Sequence, residues 1–357
     1  MRIRFALVAV LLLPAASWML KQQGAQAQSA TAGAPGYHVT KKIPIGGEGF
    51  WDYLTLDSEA RRLYISHATH VVVLDVDTGK VVGDIPGTEG VHGIALASDL
   101  GRGFTSNGRA GTVTVFDLKT LQVLDTVKTT GMNPDAIVYD PVSHRVFTFN
   151  GRSSTSTAID AATGKVAGTI DLGGRPEFAQ ADGKGLIYDN LEDKSQVIEL
   201  DTAKLSVIGR WPLAPCESPS GMAMDREHGR LFIGCENKLM AVMDAGSGKI
   251  VATLPIDEGV DANGFDPGTG LAFSSNGAGT LTVVKEESPG KFSVVENIPT
   301  QRGARTMAVD LKSHNVYLAT AEFGPRPAPT ADNPRPRPSL VAGSFTILEV
   351  EPTHVSP

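Results

Sequence analysis

The chain has 357 residues, 32 of them basic and 39 acidic, for a formal net charge of −7. That balance argues against broad binding to a phosphate backbone, which needs a positive surface, so nucleic acid is the least expected partner. Beyond the first 27 residues there is no apolar run of 18, and no membrane-spanning helix is expected.

The N-terminus reads as an export signal. Arg2 and Arg4 precede the apolar run 5–13, and Ala25-Gln26-Ala27 offers small residues for cleavage, as in a secretory signal peptide over 1–27. No Cys lies near the cut, so a lipid anchor is not expected. The segment holds three basic and no acidic residues, leaving 29 basic against 39 acidic and a net charge of −10 in the remainder. A periplasmic or secreted monomer is expected, with residues 28–36 as a flexible lead-in.

From residue 37 the chain repeats itself. Residues 37–45 read as a strand, and seven copies of one pattern follow at a period of about 42 residues. Each copy opens with a short apolar strand ending in Asp or near it, such as Tyr53-Leu54-Thr55-Leu56-Asp57 or Gly221-Met222-Ala223-Met224-Asp225. Runs this apolar suit strands covered on both faces. A turn leads to a second strand, as in Tyr64-Ile65-Ser66-His67, Phe104-Thr105-Ser106-Asn107 and Ile187-Tyr188-Asp189-Asn190. A third and fourth strand form a hairpin across Asp-x-x-Thr/Ser-Gly-Lys, as in Asp75–Lys80, Asp160–Lys165 and Asp244–Lys249, where Gly supplies positive φ. Four strands per unit at this period predict an all-β fold, a seven-bladed β-propeller of four-stranded blades over residues 37–350. Propellers grow radially, so 357 residues need only one domain.

The second strand resembles the Tyr-Val-Thr-Asn strand of the YVTN-repeat, or YncE-like, β-propellers, and with the Asp-x-x-Thr-Gly-Lys hairpin the likeness covers nearly all of 37–350. It implies the fold; members of that family share a scaffold rather than one reaction.

The seventh copy lacks an outer strand. After Tyr317-Leu318-Ala319-Thr320 comes a Pro/Arg-rich loop, 324–340, then a strand over 345–350 and a tail, 351–357. The N-terminal strand is predicted to close the ring in this last blade by pairing with 345–350, which removes an open edge. The loop favours polyproline II; a lid, a docking strip and a solvated spacer are the three readings it allows.

Aligning the copies puts Asp52, His92, Asp135, Glu177, Ser220, Asp261 and Arg305 at one position, at steps of 40, 43, 42, 43, 41 and 44. These residues open the innermost strands and are expected to converge on the channel mouth. Gathered carboxylates must be offset by protons, Arg or a cation. Asp52, Asp135, Glu177 and Asp261 are the expected metal ligands, for Ca²⁺, Mg²⁺ or Mn²⁺, with Zn²⁺ also admitted by His92. The plainer alternative is that the ring only hydrogen-bonds neighbouring backbone and channel water. A second set, His67, Asn107, Asn150, Asn190 and Asn276, ends the second strands with Cys235 and Thr320; it serves either turn geometry or, with Ser220, a polar ligand-binding shell. Cys216 and Cys235 belong at one edge of the fifth copy, which favours a structural disulfide over a metal or redox pair.

No Gly-x-Ser-x-Gly, His-Glu-x-x-His or phosphate-binding Gly-rich loop is present. The leading expectation is a binding propeller for a small ligand, cation or periplasmic protein. The alternative is a metal-dependent, lactonase-like hydrolase with His92 as general base and Arg305 holding a carboxylate or oxyanion.

Overall fold

A computed structural model of the chain describes residues 36–330, 336 and 338–353. The expected signal peptide, the lead-in before residue 36, part of the Pro/Arg-rich loop and residues 354–357 lie outside the described residues. Twenty-eight strands among them form seven four-stranded antiparallel sheets, six of them in chain order from the inside outward. Blades 1 to 6 span residues 51–85, 91–128, 134–171, 176–212, 219–255 and 260–299. Helix among the described residues is confined to two 3-10 turns, Ser98–Leu100 and Glu192–Lys194. The fold is a seven-bladed β-propeller, as the repeat predicts.

Blade 7 is assembled from both ends of the described chain. Strand Tyr37–Pro44 pairs antiparallel with Thr346–Pro352, with Ile43 opposite Ile347 and Tyr37 opposite Pro352. The strand thus runs past the expected end at 350, because Glu351 and Pro352 find partners in His38 and Tyr37. Tyr37 also ties this edge to blade 6, its N–H donating to Glu296 Oε2 at 2.9 Å.

The hairpin motif works as its residues suggest. Asp75 Oδ1 accepts from both the N–H and the Oγ1 of Thr78, each at 2.8 Å, while Gly79 takes φ of 67°. Asp160 with Thr163, and Asp244 with Ser247, repeat the arrangement. A short acceptor on Asp thus fixes the turn, and Gly alone enters the left-handed region without strain.

Seven apolar clusters hold the ring together, one at each interface between neighbouring blades. Leu63, Ile65 and Leu74 of blade 1 pack with Tyr317, Ala319 and Ile347 of blade 7, and Phe273 and Leu281 of blade 6 pack with Leu318 and Leu348 on its other side. Strands covered on both faces leave no alternation in their sequence, which is why they read as continuous apolar runs. In blade 5, Cys216 and Cys235 form a disulfide with a Cα–Cα distance of 5.7 Å.

Candidate functional site: the channel mouth

The inner strand of each of blades 1 to 6 carries a register irregularity at the aligned ring position. In blade 1 it falls between Trp51 and Leu54, in blade 2 between Val91 and Ile94, in blade 3 between Pro134 and Ile137, and likewise in blades 4 to 6. Asp52, His92, Asp135, Glu177, Ser220 and Asp261 all sit inside these bulges. A bulge re-aims a side chain out of the ladder, and here it turns the ring residue into the channel. Polar side chains of the second strands hold the displaced backbone. Ser66 Oγ accepts the N–H groups of Asp52 and Tyr53, both at 2.9 Å. The Ser106 hydroxyl donates to the carbonyl of Asp135, Asn190 Nδ2 to that of Ser220 at 2.7 Å, and the Ser275 hydroxyl to that of Arg305. Each of these last three bonds links one blade to the ring residue of the next.

The ring lines a cavity of about 870 Å³. Its floor is closed by two aromatic rings from opposite sides of the channel. Tyr53 of blade 1 and Phe178 of blade 4 stack with centroids 4.6 Å apart, and residues three blades apart can meet only across the axis. The site is therefore a cup rather than an open pore.

Within the cup Asp52, His92 and Asp135 lie closest. His92 Nδ1 is 2.5 Å from Asp52 Oδ2 and 3.6 Å from Asp135 Oδ1. One ligand atom from each falls within 4.8 Å of the others, a spacing that can hold a metal ion. Two carboxylates and an imidazole suit Mn²⁺ or Zn²⁺. Asp261 is engaged elsewhere, with Arg305 Nε at 3.3 Å and the Ser220 hydroxyl at 3.4 Å. Glu177 lines the same cavity and makes no side-chain hydrogen bond or ion pair among the described residues. His92 thus joins the ligand geometry expected of four acids, while Asp261 is turned toward Arg305.

The electrostatics follow from crowding in a half-buried space. Burial opposes charge on His92, but its hydrogen bond to Asp52 and the nearby Asp135 and Glu177 outweigh that and lift its pKa to about 9. Burial pushes Asp135 up to about 7, with Asp52 and Asp261 adding to the effect and His92 opposing it. Asp261 rises to about 6, from burial first and Asp52 next, against the pull of Arg305. Burial and the three aspartates raise Glu177 well above the ordinary carboxyl range. Gathered acids that hold protons are a site that a cation would relieve.

Four arginines line the same cavity as well, with Glu192 and Glu236. Arg175 is paired with Glu192 and Arg305 with Asp261, whereas Arg109 and Arg152 make no ion pair among the described residues. Arg109 and Arg152 were legible as a repeated Asn-Gly-Arg at the end of two second strands, Asn107-Gly108-Arg109 and Asn150-Gly151-Arg152.

The second set of expected ligand residues does not reach the cavity. Asn107 Nδ2 donates to Thr112 Oγ1 at 3.1 Å and Thr114 Oγ1 at 2.8 Å, and its Oδ1 accepts from Thr105. Asn150 and Asn276 are tied down in the same way by Thr155 and Thr157, and by Thr280 and Thr282. These amides staple the second strand to the third and are fully buried. His67 is buried too, stacked on Phe345 at 4.5 Å, and burial together with His70 lowers its pKa. In blade 4 it is Leu191, not Asn190, that pairs with Pro176, so Asn190 occupies the place of Ser106. A one-residue slip in the alignment had put it on the wrong face. Ser220 alone of this set lines the cavity.

One buried acid escaped the alignment for the same reason. Asp189 stands where blades 2 and 3 have Thr105 and Thr148, has no solvent exposure, and its carboxyl has no side-chain hydrogen-bond partner, only the backbone N–H of Glu177 close by. Burial, with Glu177 adding, raises its pKa well above the ordinary range.

No protein-family model and no curated protein matches the sequence. Among solved structures, the chain is similar to hydrazine synthase of Kuenenia stuttgartiensis, with a TM-score of 0.65 at 15% identity, over 82% of this chain and 95% of that one. At that identity the likeness is one of fold, the β-propeller.

Proposed function

We propose that this protein is a binding propeller whose channel mouth holds a divalent cation and, through it, a small ligand with anionic oxygen donors. The observation that carries this reading is the convergence of Asp52, His92 and Asp135 within 4.8 Å on the wall of the channel-mouth cavity. The arginines lining the same cavity complement it, because a cation and nearby guanidinium groups would together hold a carboxylate or phosphate. The disulfide, and the lack of any helix among the described residues long and apolar enough to cross a membrane, are compatible with export as a secreted or periplasmic protein. The repeat motif supports placement among the YVTN-type propellers, a group defined by scaffold.

The test is the metal content of protein purified without chelator. Close to one equivalent of Mn²⁺, Zn²⁺ or Ca²⁺, lost in Asp52→Asn/Asp135→Asn, supports the reading; a metal-free protein that takes up none of the three on addition refutes it.

A second reading, metal-assisted hydrolysis of a lactone-like ester, is favoured by Glu177. A carboxyl raised well above its ordinary range by burial and the neighbouring aspartates, unpaired on the wall of the same cup, is a candidate general acid or base. The cation would polarise the carbonyl and Arg305 would face the developing oxyanion. A screen of lactones with metal-loaded protein and with Glu177→Gln separates the two readings: turnover abolished by the variant makes the cup an active site, and no turnover leaves it a binding site.

A further inference from the structure

A second cavity of about 250 Å³ opens beside the cup and shares three of its walls, Phe50, Trp51 and Arg305. Its remaining lining includes Phe323, Arg302 and Arg326. The aromatic side is fixed in place. Trp51 stacks on Phe345 with centroids 4.9 Å apart and meets Phe323 at 6.4 Å. Phe323 in turn is held by a bridge to Leu340, with Gly324 N–H donating to Ser339 O at 2.8 Å and Val341 N–H to Glu322 O at 2.9 Å. This two-stranded stem is the base of the Pro/Arg-rich loop, and it sets Arg326 and Pro338 over the cavity.

Two features of the pocket have no purpose within the fold. Phe50 is 53% exposed at its wall, although nothing in the propeller core requires an aromatic side chain there. The guanidinium groups of Arg302 and Arg326 make no ion pair among the described residues; Arg302 only overlies the Phe323 ring, 6.0 Å from its centroid. Aromatic walls beside unpaired guanidinium groups match a flat apolar body that carries an anionic group. The volume is sufficient, since a cavity of roughly 150 Å³ already takes a benzene ring.

We infer that this side pocket binds the aromatic part of a carboxylate-bearing ligand, with the carboxylate held by Arg302 and Arg326. Because the pocket shares walls with the cup, such a ligand could present a second oxygen group to the cation site. That extension rests on the function proposed above, whereas binding in the side pocket does not.

Calorimetric titration of metal-free protein with 2-naphthoate and with uncharged 2-naphthamide tests the inference. Saturable one-to-one binding of 2-naphthoate is expected, about tenfold or more tighter than the amide, and about tenfold weaker in Arg302→Gln/Arg326→Gln. Both arginines are exposed, so the variant should melt with the parent, and its metal content should be unchanged. Equal affinity for acid and amide, undiminished binding in the variant, or no saturable binding of 2-naphthoate at millimolar concentration would each overturn it. Metal content reads the cup and naphthoate affinity the side pocket, so either can fail without the other.

Discussion

His92 Nδ1 lies 2.5 Å from Asp52 Oδ2, joining the inner strands of blades 1 and 2 at the point where Asp135 of blade 3 also approaches. The pair has a consequence for cation binding. With a pKa of about 9, His92 carries a proton at neutral pH, and an imidazole must release that proton before it can ligate a metal. Apparent Mn²⁺ affinity should therefore fall as pH falls, by about tenfold per unit near pH 8 and more steeply below about pH 7, where Asp135 also holds a proton. Calorimetry at about pH 8 in buffers of different ionisation enthalpy should register about one proton released per ion. Binding with no proton release would remove His92 from the ligand set.

The room around that imidazole is limited by Gly108. A Cβ at this position would lie 2.6 Å from His92 Nε2, whereas at the sister position Gly151 the nearest atom would be 3.4 Å away, on Asn133. Gly108→Ala is expected to displace His92 and weaken cation binding by about tenfold or more, with stability changed by only about 1 kcal/mol. Gly151→Ala should do neither. Equal metal affinity in the two variants would place the ion away from His92.

Asp189 gives a pH signature to the fold. Its folded-state pKa is raised by burial, so the native chain binds a proton that the unfolded chain releases near pH 4. The stability from this group is full below that pH and is lost as pH rises toward the folded value. Asp189→Thr, which restores the residue type of blades 2 and 3, should stabilise the protein by about 1–3 kcal/mol at pH 8 and by much less at pH 4. Urea melts at the two values decide it; a gain independent of pH would mean that Asp189 is not a proton-holding acid.

The seam where the ring closes carries a buried ion pair. Arg61 of blade 1 donates to Asp310 of blade 7 at 2.6 Å and to Asp77 at 2.9 Å, and Asp310 is wholly buried. Burial alone would raise the Asp310 carboxyl, but hydrogen bonds from Ser313, Arg61 and the Lys312 N–H leave it below the usual range. A lowered carboxyl stabilises above its unfolded pKa, near 4, and loses that contribution as pH falls through the folded value. Arg61→Met should cost about 3 kcal/mol at pH 7, with the difference from the parent shrinking below about pH 4. An unaltered urea midpoint at pH 7 would show that apolar packing alone closes the ring.

The architecture was legible because each level of the sequence repeats it. The seven-fold period, the Asp-x-x-Thr-Gly-Lys hairpin and the orphan strand at residue 37 all specify one ring, and closure of Tyr37–Pro44 on Thr346–Pro352 follows from them. The site was legible only in part. Alignment could find Asp52, His92 and Asp135, but their mutual distances depend on bulges that add a residue without any signal in composition. The same bulges hid the slip in blade 4 that moved Asn190 and concealed Asp189. The buried amides of Asn107, Asn150 and Asn276 are indistinguishable in sequence from a polar shell, because what decides is the threonines on the facing strand. Aromatic closure of the cup by Tyr53 and Phe178 depends on two residues 125 positions apart meeting across the axis.

The most direct test of the cation site is a crystal of the protein soaked in Mn²⁺ and measured at the manganese absorption edge. An anomalous peak about 2.2 Å from a carboxylate oxygen of Asp52 and of Asp135 and from a ring nitrogen of His92 is the result this account predicts. A cup without a peak, or a peak bound only by exposed acids outside it, would contradict it.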